Sequence, residues 1–352
     1  MGRPGATDVN APLRIGIAGL GRMGRHHAEN LARRVTGAAL VAACSPLGDE
    51  LTWAKETLGV AQTFTDYVTM LARPDIDAVF LVTPTTLHAQ QIIEALHAGK
   101  HVFSEKPLSL DLDACLRVEA EAKRFPHLKV MIGFVRRFDR SYCHAAERIA
   151  HGDIGAPFLV RSQTLDKHDP SGFFVRFAAT SGGIFLDMSV HDIDTARWLL
   201  GNPTPLRAYA TGTVAVHEGL YQWQDVDNGA ALCEFEGGKI AYFCASRTMA
   251  HGFEASTEIV GTRGRLTVSA NPRADWVDIA DTHGVRNQCT PTFYERFEEA
   301  FLREDQAFVD VVRGDCALPL TLQDATQATR IGIGLRESLL TKRLVHFQGT
   351  AT

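Results

Sequence analysis

The chain has no CxxC pair. Its seven cysteines, at 44, 115, 143, 233, 244, 289 and 316, are odd in number and scattered. That pattern offers neither a disulfide frame nor a zinc ligand set, and it fits a reduced, cytoplasmic protein. There is no basic run, and a formal net charge of -5 leaves no electrostatic footprint for nucleic acid. No apolar stretch nears the roughly 20 residues that span a bilayer. Met1 to Pro12 lack the apolar core of a signal peptide and read as a disordered tail. There is no internal repeat and no low-complexity tract. What remains is a chain of 352 residues, 45% hydrophobic and 22% charged, ordinary for a soluble globular protein and long enough for two cores.

The N-terminal half alternates strands and helices. Arg14-Ile15-Gly16-Ile17-Ala18 is a short apolar run that predicts a buried strand. It enters Gly19-Leu20-Gly21-Arg22-Met23-Gly24 directly, and a helix is expected to follow. Glycines there let the backbone approach a pyrophosphate, and the helix N-terminus favours its charge. A second strand, Ala39 to Cys44, ends at Ser45, 21 positions after Gly24. An acidic residue at that point would bind the adenosine ribose and repel a 2'-phosphate. This chain lacks one there. Ser45 is followed by Pro46, no arginine follows immediately, and Asp49 is near in sequence. The expectation is NAD, with NADP open.

Asp77 to Val82 is the clearest buried strand, stopped by Thr83-Pro84 before a helix with His88 in its first turn. His88 reads equally well as a cofactor contact or a surface histidine. The fifth strand leads into Glu105-Lys106-Pro107, and ligands of open parallel sheets bind beyond such strand ends. A sixth strand is expected at Val130 to Gly133. Residues 13–133 thus read as a doubly wound parallel sheet.

In the C-terminal half, Leu165 to Thr180 reads as a polar loop. Ser181 to Asp194 contains Gly182-Gly183, a flexible approach, and then a single apparent helix. Asp187 and His191 are four apart, hence on one face of it. A carboxylate beside an imidazole can move protons near neutral pH; a helix-cap aspartate and a structural histidine would look the same. Without a third ligand the pair makes no metal site. Later β-like runs, separated by turn signals such as Glu236-Gly237-Gly238, predict an open, mostly antiparallel sheet with flanking helices. One of its faces must be wet or covered by a partner. Residues 134–352 form this second, α+β domain.

Three features together resemble the Gfo/Idh/MocA oxidoreductase family: the Gly19 to Gly24 motif, Glu105-Lys106-Pro107, and Gly182-Gly183 leading to Asp187 and His191. Gly133-Phe134-Val135-Arg136-Arg137-Phe138-Asp139 and Glu258 to Gly264 are similar to segments of inositol 2-dehydrogenases. The resemblance implies an N-terminal Rossmann domain whose Gly19, Gly21, Arg22, Met23, Gly24, Ser45, Thr83, Pro84, His88, Glu105 and Lys106 meet the cofactor. It implies Lys106, Asp187 and His191 as the catalytic set, and Arg136 and Asp166 as further substrate contacts. No metal is needed. It also implies C-terminal helices that return towards the first domain, and a homodimer or homotetramer built through the C-terminal sheet. Ser45, where NAD-preferring members carry aspartate, leaves cofactor choice open. Thr164, where some inositol enzymes carry histidine, leaves the polyol open.

The activity so implied is NAD(P)-dependent oxidation of a secondary hydroxyl on an inositol, with an aldose or other sugar dehydrogenase as the alternative substrate reading. A dinucleotide-sensing regulator without turnover is the alternative of another class, and it would be expected to have lost Lys106, Asp187 or His191.

Overall fold

The computed structural model describes residues 11–269 and 272–347; most of the expected N-terminal tail lies outside them. The chain divides into two compact units, one of residues 1–133 and 301–323, the other of 134–300 and 324–352. The sequence pattern places all of 134–352 in the second domain, whereas 301–323 belong to the first unit.

The first unit alternates β1 (Leu13–Ala18), α1 (Arg22–Arg33), β2 (Ala38–Cys44), α2 (Gly48–Leu58), β3 (Gln62–Phe64), α3 (Tyr67–Leu71), β4 (Ala78–Leu81), α4 (Thr85–His97), β5 (His101–Glu105), α5 (Leu112–Arg124) and β6 (Val130–Gly133). All pairings are parallel, in the order β3-β2-β1-β4-β5-β6. This is the doubly wound order whose ligand crevice lies at the strand carboxyl ends, where the order reverses beside β1. Helices cover both faces, so the strands are continuous apolar runs; β4 is buried at every residue. Phe80 of β4 and Phe103 of β5 stack with ring centroids 4.4 Å apart, and Phe308 meets Phe80 edge-on at 5.2 Å. Each such fully buried side chain contributes about 1.5–3 kcal/mol.

The second unit begins with a 3₁₀ turn at Val135–Phe138 and continues through α6 (Arg140–Ala150), β7 (Pro157–Lys167), α7 (Phe173–Ser181), α8 (Ile184–Asp187) and α9 (Ser189–Leu199). Then come β8 (Pro205–Thr213), β9 (Asn228–Phe235), β10 (Lys239–Met249), β11 (Glu254–Gly261), β12 (Gly264–Val268) and a small hairpin, β13 (Ile279–Asp281) with β14 (Gly284–Arg286). α10 (Phe293–Arg313), whose residues from Phe301 on belong to the first unit, α11 (Leu322–Thr341) and β15 (Val345–His346) follow. The large sheet runs β12-β11-β7-β10-β9-β8-β15. Its pairings are antiparallel except β7 with β10. Ala241, Phe243 and Ala245 point into the core, while Ile240 and Tyr242 are left on the exposed face.

Two expectations change here. The polar loop over 165–180 is shorter, because β7 continues to Lys167 and α7 takes up Phe173–Ser181. Phe173 and Phe177 stack one turn apart at 5.4 Å on that helix, an apolar pairing masked in the sequence by the charged residues before it. The helix carrying Asp187 and His191 is two short helices joined at Met188.

Candidate active site

In the first unit, the glycine loop fits a dinucleotide for reasons that differ by position. Gly19 has φ +92°, and a Cβ there would come within 2.3 Å of the Val82 carbonyl oxygen. A Cβ on Gly24 would lie 2.0 Å from the Gly19 carbonyl oxygen. Both glycines therefore close the loop against β4 and itself. At Gly21, by contrast, a Cβ would meet nothing within 4 Å. Gly21 is the N-cap of α1, with no side-chain cap bond and no acidic residue in the first turn. A positive helix end and free space are what a pyrophosphate requires. Arg22 and Met23 open the same helix.

At the end of β2, buried Ser45 donates from Oγ to Glu50 Oε2 at 2.5 Å. The acidic group bonded to Ser45 is thus Glu50, which shares the first turn of α2 with Asp49.

Thr83 and Pro84 lead from β4 into α4, with Thr83 Oγ1 bonded to Gln91. His88 is neither a surface histidine nor open to a ligand. It is buried, with Nδ1 at 2.9 Å from the Pro107 carbonyl oxygen and Nε2 at 2.8 Å from that of Thr83. Its ring ties the two loop ends together, and burial pulls its pKa down.

Glu105 also faces inward. Its Oε1 lies 3.1 Å from His27 Nε2, and its Oε2 accepts the Lys106 backbone N–H at 3.0 Å. Lys106 follows the end of β5, joined to Pro107 by a cis peptide. The fold also assembles a group that no local spacing shows: ligand atoms of His27, Glu105 and Glu304 lie within 4.8 Å of one another.

In the second unit, Gly182 and Gly183 are required for their backbone rather than for flexibility, with φ of +79° and +90°. They turn the chain into α8, whose first amide, Ile184 N–H, donates to Asp225 Oδ1 at 3.0 Å. Fully buried Arg247 bridges both ends of this short helix, to Asp225 Oδ2 at 3.2 Å and to Asp187 Oδ2 at 3.0 Å. Asp187 is therefore held by a guanidinium supplied from β10, and its side chain retains 18% exposure. His191 stands one turn further on α9, half-buried, with Phe134 edge-on at 6.2 Å. Asp166 lies on β7.

Arg136 corrects the expectation of a substrate-facing arginine. It is 2% exposed and pairs with Asp192 at 2.7 Å. The same guanidinium donates to Thr164 Oγ1 at 2.5 Å, and Thr164 in turn donates to Asp192. Arg136 and Thr164 thus bind the 3₁₀ turn and β7 to α9, the helix of His191. Arg137 makes the parallel pair with Asp194 at 2.7 Å.

Family comparison decides what this assembly belongs to. Residues 13–134 match the model of the oxidoreductase family with an NAD-binding Rossmann fold, and residues 142–267 match the Gfo/Idh/MocA C-terminal domain. The chain belongs to the Gfo/Idh/MocA oxidoreductase family. It is an NAD-dependent oxidoreductase acting on CH–OH groups. The scyllo-inositol 2-dehydrogenase (NAD(+)) of Bacillus subtilis is 36% identical over 93% of this chain and 94% of its own. The myo-inositol 2-dehydrogenase of Thermotoga maritima is 34% identical over 96% and 99%. Among solved structures, scyllo-inositol dehydrogenase from Lactobacillus casei with bound NAD(H) and scyllo-inositol superposes with a TM-score of 0.92 at 40% identity, covering 95% of this chain and 99% of its own.

Glu50, Arg247, Asp225 and the inward role of His27 are the features that sequence reasoning missed. Their partners are remote in the chain or carry no motif. All seven cysteines are free, and among the described residues no helix is long and apolar enough to cross a membrane.

Proposed function

We propose that this oxidoreductase oxidises one secondary hydroxyl of an inositol, scyllo- or myo-inositol, to the keto-inositol. The observation that carries the reading is the presence of Lys106, Asp187 and His191 in a chain similar to inositol dehydrogenases in sequence and in structure. Bound NAD would supply the hydride acceptor. Lys106 would orient the hydroxyl and stabilise developing alkoxide charge. His191 would take the hydroxyl proton as general base, and Asp187, fixed by Arg247, would hold a neighbouring hydroxyl or polarise His191. Asp166 would be a further polar contact.

The exposed face of the large sheet carries Leu232, Ile240 and Tyr242, each at least 36% exposed, and a second copy of the chain would cover it, giving a dimer or tetramer. The free thiols suit the reducing cytoplasm.

Initial rates of nicotinamide reduction, with NAD and NADP offered separately, test the substrate claim. The panel is scyllo-, myo- and D-chiro-inositol against aldoses. An inositol is expected to give the highest kcat/KM with NAD. A higher value for an aldose would remove the inositol assignment and leave the residue roles standing. Tight cofactor binding without turnover, or a fully active Lys106→Ala variant, would remove the mechanism.

A further inference from the structure

His27 sits in the first unit with an exposure of 0% and both ring nitrogens engaged. Nδ1 lies 2.6 Å from Asp305 Oδ1, and Nε2 lies 3.1 Å from Glu105 Oε1. The chain of bonds continues at both ends. Asn30 Nδ2 donates to Asp305 Oδ2 at 2.9 Å, and Glu105 Oε2 accepts the Lys106 backbone N–H at 3.0 Å. Four side chains, from α1, α10 and β5, therefore end on the peptide nitrogen of the residue assigned to the substrate hydroxyl.

Packing fixes the ring at the centre of this chain. The His27 ring lies 5.3 Å from Phe103, 5.8 Å edge-on from Phe301 and 6.0 Å from Phe80. An imidazole so enclosed cannot rotate away from its two carboxylates without disturbing the core. Glu105 is likewise 8% exposed. A carboxylate held on one oxygen by His27 leaves its other oxygen at a fixed place, and the Lys106 amide is docked there. The aspartate–histidine–carboxylate order is that of a group whose ring direction is set from behind.

We propose that His27 and Asp305 are positioning residues for Lys106, acting through the Glu105 carboxylate. The proposal rests on the role given to Lys106 above. It assigns to α10, far along the chain, a part in aligning the lysine. A cation held by His27, Glu105 and Glu304 is the competing use of the same side chains. It is disfavoured because both His27 nitrogens already face carboxylates and Glu105 already bonds the Lys106 amide.

The test compares Asp305→Asn, Glu304→Gln and Lys106→Met in the full chain, with melting temperature, NAD dissociation constant, kcat, KM and metal content measured for each. Asp305→Asn removes the charge behind His27 and turns an amide towards Asn30. Its kcat is expected to fall by about tenfold to a hundredfold, the size of effect that misplacing a reacting group produces. NAD affinity is expected to change less than kcat, since the bonds of the relay run to Lys106 and none of them to the glycine loop. The pH profile of kcat should shift as His27 loses its cationic form. Glu304→Gln, a neutral change in the same pocket, should retain kcat at neutral pH and controls for mere core disturbance.

A lower melting temperature for Asp305→Asn with unchanged kcat and pH profile would reduce the pair to a structural contact and overturn the proposal. A stoichiometric metal in the wild type that the variants lose would overturn it in favour of a cation site. Full activity of Lys106→Met would instead remove the functional reading. That outcome is distinguishable, because it does not depend on the Asp305 result.

Discussion

Ser45 Oγ donates to Glu50 Oε2 at 2.5 Å, and the same hydroxyl oxygen accepts the Leu47 N–H at 3.1 Å. The missing acidic residue at the end of β2 is thus replaced by one from the neighbouring helix. A carboxylate at that place can accept from a ribose 2'-hydroxyl and opposes a 2'-phosphate. NAD is therefore expected to be preferred despite Ser45.

Glu50→Gln removes the negative charge with little change of shape. The ratio of kcat/KM for NAD over NADP should fall by about tenfold, about 1.4 kcal/mol of discrimination. Most of the change should be a gain with NADP. An unchanged ratio in the variant would mean that Glu50 does not face the ribose.

The three loop glycines should separate by mechanism. Gly19→Ala and Gly24→Ala place a methyl 2.3 Å and 2.0 Å from backbone oxygens, so both should lower stability and yield, beyond any effect on the cofactor. Gly21→Ala meets nothing within 4 Å and should fold as wild type while binding NAD more weakly, because the methyl occupies space at the open helix end. Melting temperature and NAD affinity measured for all three check this. Equal behaviour of the three would remove the distinction between closure and cradle.

Arg136 and Asp192 form a buried ion pair whose breakage leaves a charge without its partner. Arg136→Met should lower unfolding free energy by about 3–5 kcal/mol. For the more conservative Arg136→Lys, a lower melting temperature is expected with the inositol KM of the folded enzyme within about twofold of wild type. A large rise in KM without loss of stability would restore Arg136 as a substrate contact.

The contrast between Arg136 and the glycine loop shows which parts of this protein are legible from sequence. The first sheet could be read because each βα unit carries its own evidence within a few residues: an apolar run, a glycine turn, a helix. The turn into α8 is legible only in part: Gly182-Gly183 marks a break before a helix, but the positive φ angles and the division at Met188 come from the fold. Arg136 stands in a motif next to the expected site, and nothing local separates an arginine that meets a ligand from one that meets Asp192, 56 residues later. Arg247 and Asp187 are 60 residues apart, and His27 and Asp305 are 278 apart. Those pairs are products of tertiary packing, and each ionic side chain looks like surface charge until the fold buries it. Glu50 was missed for a shorter-range reason. Nothing in the sequence says which of two adjacent acidic residues reaches Ser45, and in the fold Glu50 does.

Glu304 is a buried ionisable group beside the relay and outside its chain of bonds, fully enclosed, with neither carboxylate oxygen hydrogen-bonded. Burial, followed by the negative charge of Glu105, pushes its pKa well above the ordinary 4.5, with His27 opposing and Asp305 adding to the rise. The groups facing it are Glu105 on β5, His27 on α1 and Asp305 on α10. Folded Glu304 therefore keeps its proton at pH values where the unfolded chain has released it. The folded state binds more protons, so this group makes stability fall as pH rises from about 4.5 towards its folded pKa. The slope is about 1.4 kcal/mol per pH unit while the folded form stays protonated. His27, whose own burial opposes but does not cancel the raising effect of Asp305 and Glu105, is also raised, and it contributes stability lost as pH climbs through its folded pKa. While folded Glu304 keeps its proton it is as neutral as glutamine, so that contribution is common to wild type and a Glu304→Gln variant and cancels in their difference. The variant should match wild type in pH response near and below pH 4.5 and gain on it progressively above that. Urea unfolding at several pH values between 4.5 and 8 measures the difference directly. A difference that stays flat across this range would mean that Glu304 is ionised in the folded protein, with its charge balanced by His27 in place of a retained proton.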